Sequence, residues 1–274
     1  MSGFEKILSL PMSRDGVVVE EIATGVAQIR LNRPERMNAL GVDMTNALRD
    51  IVQDVLAGDA RVLVVRGTGR AFCAGADLKE RRDMAELARI AHNRAINDAI
   101  NALDAAPMPT IAALNGLALG GGCEMALGCD IRIAMTGVQI GLTEARIGAF
   151  PGAGGSQRLP RVVGVPRALE MILSGEPVTA ERAAEIGLVN MVFAPESFDE
   201  KLVAFAALLA SRSPTASALA KKAIREGIET TLAKGLEIER QALMHVLGST
   251  DYAEGLAAFA EKRPPRFAPR SKKA

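Results

Sequence analysis

Thr110-Ile111-Ala112-Ala113-Leu114-Asn115-Gly116-Leu117-Ala118-Leu119-Gly120-Gly121-Gly122-Cys123-Glu124 runs from an unbroken apolar stretch into a turn of small residues. Residues 110–114 show no alternation of polar and apolar side chains, the pattern of a strand covered on both faces. A helix is expected next, over 123–127, and then another strand over 130–134. The same grammar holds on either side. Residues 61–65 form a second short apolar run, followed by a small-residue loop over 67–75. Residues 83–103 carry the period of a long amphipathic helix. Upstream, 17–22 and 26–31 alternate as a hairpin around Ala23-Thr24-Gly25, and Asn32-Arg33-Pro34 ends it because proline cannot continue a ladder. Residues 43–56 form a helix with Met44, Leu48, Ile51, Val52 and Val55 on one face and Asp43 as N-cap. Strands alternating with helices up to about residue 145 predict α/β layering. From Pro166 the pattern is mainly helical, over 167–173, 180–186, 198–209, 215–227 and on to 259, with one strand at 188–193. The last ten residues are rich in Pro, Arg and Lys and are expected to be extended or frayed.

The 274 residues are 49% hydrophobic and contain no Trp, so the core must be aliphatic. A net charge of +1 gives no footprint for nucleic acid or a membrane surface. No apolar stretch reaches the roughly 18 residues needed to span a bilayer. Residues 1–16 lack the apolar centre of a signal peptide and the Arg-rich helix of a transit peptide, so a cytoplasmic location is expected. Cys73, Cys123 and Cys129 are odd in number and lack metal-ligand spacing, and His92 and His245 are scattered, so neither disulfides nor a metal site is expected. His92 reads as a surface or core position on its helix.

The chemistry-bearing features are two small-residue loops and two carboxylates. The glycines at 120–122 let a backbone approach a ligand closely. Phe72-Cys73-Ala74-Gly75-Ala76-Asp77 also follows a buried strand and also lacks bulk. Two such loops at neighbouring strand ends could each give one N–H to one oxygen, forming an oxyanion hole. Close packing alone also explains glycine-rich turns. The dinucleotide-binding spacing G-x-G-x-x-G is not met across 120–128. Glu124 follows the glycines, and Glu144 comes twenty residues later, after an out-and-back path through a strand, a turn and a short strand at 138–141. Paired carboxylates suit acid/base work because repulsion keeps one protonated while the other ionises. A lone glutamate is ordinarily a solvated surface residue. Both of these lie in apolar, glycine-rich surroundings, and 148–155 is again small-sided.

Five segments, in this order, resemble the crotonase (enoyl-CoA hydratase) superfamily. They are Asn32-Arg33-Pro34-Glu35-Arg36-Met37-Asn38-Ala39-Leu40, Ala71-Phe72-Cys73-Ala74-Gly75-Ala76-Asp77-Leu78, Asn115-Gly116 through Gly121-Gly122-Cys123-Glu124, Pro151-Gly152-Ala153-Gly154-Gly155-Ser156-Gln157-Arg158-Leu159, and Phe259-Ala260-Glu261-Lys262-Arg263. The resemblance implies an α/β (α+β) fold: a core of ββα turns wound into a spiral over 1–195, and a helical trimerisation region over 196–274. Trimers and hexamers are usual in the family. It implies that the Ala76 and Gly121 amides hold the thioester oxygen of an acyl-CoA. By the same analogy Glu124 is base toward water, Glu144 protonates C2, and Gly152 orients substrate or water. For CoA it implies main-chain contacts at Ala74, Ala76 and Leu78, with Asp77 in the same stretch. Arg36 would meet phosphate, and a neighbouring subunit's Phe259 and Lys262 the adenosine 3′-phosphate. The expected reaction is syn hydration of a 2-enoyl-CoA without metal or redox cofactor; the alternatives are hydration of 3-methylglutaconyl-CoA, double-bond isomerisation of a 3-enoyl-CoA, and a non-catalytic CoA- or RNA-binding role on the same fold. Ala76-Asp77-Leu78-Lys79-Glu80-Arg81, Gln157-Arg158-Leu159-Pro160-Arg161 and Glu261-Lys262-Arg263-Pro264-Pro265-Arg266 are similar to the methylglutaconyl-CoA hydratase branch. Some members of that branch bind RNA through a Lys-rich first helix. Here 43–56 has Arg49 and no Lys, so no nucleic-acid partner is expected. Thr143 stands where many hydratases have proline.

Overall fold

Two sheets grow together, because each turn of the chain sends its first strand to one and its second to the other. The computed structural model describes residues 12–268. The N-terminal reading of 1–16 and the expected C-terminal tail fall largely outside this range. The larger sheet contains β1 (Met12–Arg14), β2 (Val17–Ala23), β3 (Val26–Leu31), β4 (Val62–Gly67), β6 (Thr110–Leu114), β8 (Ile131–Met135) and β11 (Met191–Phe193), in the order β1-β2-β3-β4-β6-β8-β11. The first three strands pair antiparallel and the rest parallel. The smaller sheet contains β5 (Ala71–Cys73), β7 (Leu117–Leu119), β9 (Gln139–Gly141) and β10 (Val178–Thr179), in the order β10-β9-β7-β5. β4–β5, β6–β7 and β8–β9 are therefore three successive windings. β5 and β7 lie within stretches that the sequence presents as loops over 67–75 and 115–122. Three residues are too few to show a period.

Asn115 ties two windings together: its Oδ1 accepts from Gly67 N–H (3.0 Å) and its Nδ2 donates to Gly69 O (3.0 Å). Asn38, fully buried at φ 54°, does the same for the N-terminal segment. Its Oδ1 accepts from Arg33 N–H, and its Nδ2 donates to Thr68 O and Ala71 O. This left-handed backbone is one that asparagine tolerates better than most residues.

The parallel strands are buried on both faces, which is why they do not alternate. Val62, Val64, Ile111 and Ala113 face α8 (Pro195–Ala210), which contributes Phe198, Leu202 and Ala206. Leu63, Val65, Ala112 and Leu114 face the opposite core, shared with α1 (Val42–Ala57) and α3 (Glu86–Asp104). Two helix boundaries differ from the sequence reading. Asp43 lies inside the first turn of α1, whose N-cap is Gly41, and Val42 N–H donates to Glu80 Oε2 instead (3.0 Å). The helix expected over 83–103 is preceded by a separate short one, α2 (Leu78–Arg82), and itself starts at Glu86. Asp77 caps α2 by accepting from the Lys79 and Glu80 amides. The Arg89 guanidinium closes the other end by donating to Arg81 O and Arg82 O.

After α4 (Gly121–Leu127), helix resumes at α5 (Gly155–Val163), well before Pro166, and continues through α6 (Val165–Ser174) and α7 (Ala180–Glu185). Its glycines and Pro160 hide α5 from a propensity reading. α9 (Pro214–Ile228) and α10 (Leu232–Leu247) pack on each other, and neither buries a residue completely. α9 is fastened to the core where Lys221 Nζ and Arg225 Nη2 each lie 2.7 Å from the Asp130 carboxylate. α11 (Thr250–Ala260) packs on α10. The three cysteines are buried and free.

Candidate active site

The ends of β5 and β7 bring the two small-residue loops into backbone contact. A Cβ added at Gly122 would sit 2.1 Å from Cys73 O, so only glycine fits there. The loop after β5 is stitched to the N-terminal segment: Ala74 N–H donates to Met37 O, Leu40 N–H to Gly75 O, and Asp77 N–H to Leu40 O. That alternation turns the intervening Ala76 N–H the other way, toward Gly121. A Cβ at Gly121 would lie 3.6 Å from Ala76 N. Among the described residues neither the Ala76 nor the Gly121 amide donates to a protein acceptor. Two adjacent, unspent N–H groups are what an oxyanion hole requires.

Glu124 lies one helical turn from Gly121, and its side chain is 3% exposed. Its Oε1 accepts from Ala153 N–H (2.7 Å) and Gly155 N–H (2.9 Å). These amides flank Gly154, whose φ of 101° turns the backbone so that both point at one oxygen. Arg158 supports this loop from beneath. Its Nη1 donates to Ala153 O, and its other nitrogens are held by Asp104 and Asn101. Glu144 starts a single turn of 3₁₀ helix after β9. Its Oε1 lies against Gly120, where a Cβ would be 3.0 Å away, and its buried Oε2 has no hydrogen-bond partner.

The two carboxyls are tuned differently. Burial raises both, and Glu144 also feels Glu124 as a neighbouring charge. For Glu124 the rise is opposed by the Gly155 and Ala153 amides, then by Arg158 and Arg81. Glu144 has fewer compensations: burial is the main cause, its own backbone N–H opposes, Glu124 adds to the rise, and the carboxyl is pushed up to about 7. Two acids raised to different degrees, one held by amides and the other without them, are suited to different proton-transfer roles.

The family's sequence profile, described as enoyl-CoA hydratase/isomerase, matches residues 21–270. The chain belongs to the crotonase superfamily. As a crotonase it is 41% identical over 249 residues to human enoyl-CoA hydratase domain-containing protein 2, mitochondrial, covering 89% of this chain and 85% of that one. It is 38% identical over 256 residues to mouse methylglutaconyl-CoA hydratase, mitochondrial, covering 91% and 81%. Its fold superposes on the 1.8 Å crystal structure of enoyl-CoA hydratase from Bacillus anthracis with a TM-score of 0.90, at 42% identity, over 92% of this chain and 99% of that one. The crotonase is thus an enzyme of hydratase/isomerase type.

Of the residues singled out from its sequence, Ala76 and Gly121 lie side by side, Glu144 lies against Gly120 next to them, and Glu124 is near enough to act on the Glu144 carboxyl. Gly152 precedes the loop that grips Glu124 and accepts from Asn97 Nδ2 (2.7 Å). Arg36 lies 3.5 Å from Asp77, and Asp77 is 3% exposed, occupied with its helix cap and with Arg33 and Arg36. Ala74 is half-buried, and Leu78 is exposed. Phe259, 86% exposed, and Lys262 lie at the end of α11. Among the described residues no cluster of three His, Cys, Asp or Glu is placed to hold a metal. Cavities of about 280 and 1240 Å³ lie elsewhere, and neither carboxylate lines them. Sequence reasoning quoted Arg81 and Arg158 as family marks without giving either a task. It also missed the Ala153 and Gly155 amides, which only the folded loop reveals.

Proposed function

We propose that this crotonase adds water across the C2=C3 bond of a 2-enoyl-CoA, giving the 3-hydroxyacyl-CoA. The observation that carries the reading is the pair of buried carboxyls, only one of them held by backbone amides, beside two unspent N–H groups. Ionised Glu124, steadied by two N–H donors, takes a proton from water as its oxygen attacks C3. Electron density moves to the thioester oxygen, which accepts from the Ala76 and Gly121 amides. Glu144, which burial keeps partly protonated near neutrality, delivers its proton to C2 from the same side, so addition is syn. Losing one oxyanion donor would cost roughly 10²–10³ in rate. The two acids share their protons, so their titration belongs to the pair. Gly152 orients the water or substrate through its backbone.

Around this chemistry, Ala74, Ala76, Asp77 and Leu78 form the proposed pantetheine and nucleotide edge, Arg36 meets phosphate, and Phe259 and Lys262 reach the adenosine end from a neighbouring copy. Trimers or hexamers in the cytoplasm, built by 196–274, complete the proposal. The test is loss of the enoyl-thioester absorbance of crotonyl-CoA. Wild type should hydrate it, and Glu124→Gln and Glu144→Gln should each lose about 10²–10⁴ in kcat. Full rate in both variants would end the mechanism. A 3-enoyl-CoA turned over far faster than its 2-enoyl isomer would instead establish isomerisation, which needs only one shuttling base.

A further inference from the structure

Arg158 lies directly under the loop that grips Glu124. A Cβ at Gly154 would collide with its Nη1, so the guanidinium fills the space beneath the residue that turns both gripping amides. Nη1 donates to Ala153 O (3.4 Å), the carbonyl that lies between those amides in the chain. The rest of the fork is held by the last turn of α3: Nη2 donates to Asn101 Oδ1 (2.8 Å), and Nε and Nη2 donate to Asp104 Oδ2 (3.3 and 3.0 Å). Burial raises the Glu124 carboxyl, and the Gly155 and Ala153 amides, then Arg158 and Arg81, oppose the rise. Glu144 is the acid that faces it.

Asp104 ends α3, where the helix's own carbonyls disfavour an anion. Among the described residues two arginines compensate it: Arg158 takes Oδ2, and Arg225 of α9 pairs with Oδ1. Arg225 has a second tie, its Nη2 lying 2.7 Å from Asp130 Oδ1. Asp130 is a fixed post. Its Oδ2 accepts from the Thr110 N–H (2.8 Å) and hydroxyl (2.9 Å) at the start of β6, and from Lys221 Nζ (2.7 Å). The Arg225 guanidinium therefore spans a carboxylate anchored on the large sheet and the carboxylate that holds Arg158. α9 buries no residue completely, so these ionic ties, with Lys221 Nζ on Met108 O, set where it sits. Beside them α9, α10 and the end of α3 enclose a cavity of about 1240 Å³, lined by Asp104, Lys221 and Arg225 among others, in place of close-packed side chains.

We propose that Arg225 is a positioning residue for the catalytic base: through Asp104 and Arg158 it fixes the loop whose amides hold Glu124, so the seat of the C-terminal helical hairpin sets the geometry of proton abstraction. This rests on the reading of Glu124 as base. The path is contiguous, and every link in it is an ion pair or a hydrogen bond. Without Arg225, Asp104 keeps Arg158 alone and draws its guanidinium away from Ala153 O, the longest of the Arg158 bonds. Losing a cation from the network and loosening the two amides act on Glu124 in the same direction, against its ionised form.

The experiment combines hydrogen–deuterium exchange of the full-length protein with crotonyl-CoA kinetics. In Arg225→Met the segment 151–158 should exchange about 3- to 10-fold faster than in wild type, the range expected for one weakened hydrogen bond. The kcat should fall by a similar factor with KM little changed, and the acid limb of the pH–rate profile should move to higher pH. Arg225→Lys, which keeps a cation, should restore part of each. Lys221→Met removes the other tie of α9 to Asp130 but leaves the link to Asp104, and should shift neither the exchange of 151–158 nor the acid limb. On an Asp104→Asn background, adding Arg225→Met should change neither readout further. Unchanged exchange of 151–158 in Arg225→Met, equal loosening by Lys221→Met, or additive effects in the Asp104 pair would overturn the proposal. A wild type that hydrates no crotonyl-CoA would overturn the hydration reading alone, because exchange still tests the linkage.

Discussion

Replacing Glu144 with Gln should make the protein more stable and less active, and the stability gain should grow from about pH 4.5 and level off above about 7. Burial pushes this carboxyl from 4.5 up to about 7. Below pH 4.5 it is protonated in both folded and unfolded chains, so Glu and Gln are equivalent. Between pH 4.5 and 7 the unfolded chain ionises and the folded one resists, so wild type loses stability as pH rises. Above 7 the loss is complete and constant. At about 1.4 kcal/mol per tenfold change in the proton equilibrium, full burial would make the loss about 3 kcal/mol. Solvent screening at a half-buried carboxylate reduces it to about 1–2 kcal/mol. Glu144→Gln removes that term, which in a chain of this size raises Tm by about 2–5 °C. Thermal unfolding of both proteins at pH 5 and pH 8 provides the assay. The difference should be present at pH 8 and small at pH 5, and hydration by the variant should fall about 10²–10⁴-fold. A variant no more stable than wild type at pH 8 would refute the burial argument. Undiminished activity would refute the proton donor.

Hydration rate should be bell-shaped in pH, falling on the alkaline side as Glu144 ionises near 7 and on the acid side, above the usual carboxylate range, as Glu124 protonates; a flat kcat profile with chemistry rate-limiting contradicts both roles. Gly154→Ala forces a side chain onto φ 101° and against Arg158, at a cost of about 1–3 kcal/mol. It should lower kcat more than KM, since it loosens the amides that hold Glu124; a change in KM alone would count against the clamp. Asn38→Ala strands Thr68 O and Ala71 O, and should cost about 2–4 kcal/mol in urea unfolding; a loss below 1 kcal/mol would show that water replaces the amide.

Much of this was visible in the chain before it was folded. The parallel strands announce themselves by lacking alternation, because α8 covers one face and α1 with α3 the other. The glycines before Glu124 announce a close approach. What the sequence hides is short or non-local. β5 and β7 are three residues each, and they pair across a gap of more than forty residues, β7 pairing in turn with β9. The break between α2 and α3 depends on Arg89 reaching back to carbonyls of the preceding helix. The grip on Glu124 comes from peptide groups at 153 and 155, and a backbone donor leaves no mark on residue type.

The three windings divide the work between them. The first supplies Ala76, the second Gly121 and Glu124, and the third Glu144. Each contribution arrives on its own loop, tethered by its own strands, so one can be altered while the others stay in place. On the proposed mechanism, a descendant that lost the third winding's acid would still polarise a thioester and still own a base. Such a scaffold can drift between adding water, moving a double bond and merely gripping an acyl-CoA by single exchanges at the tips of its coils.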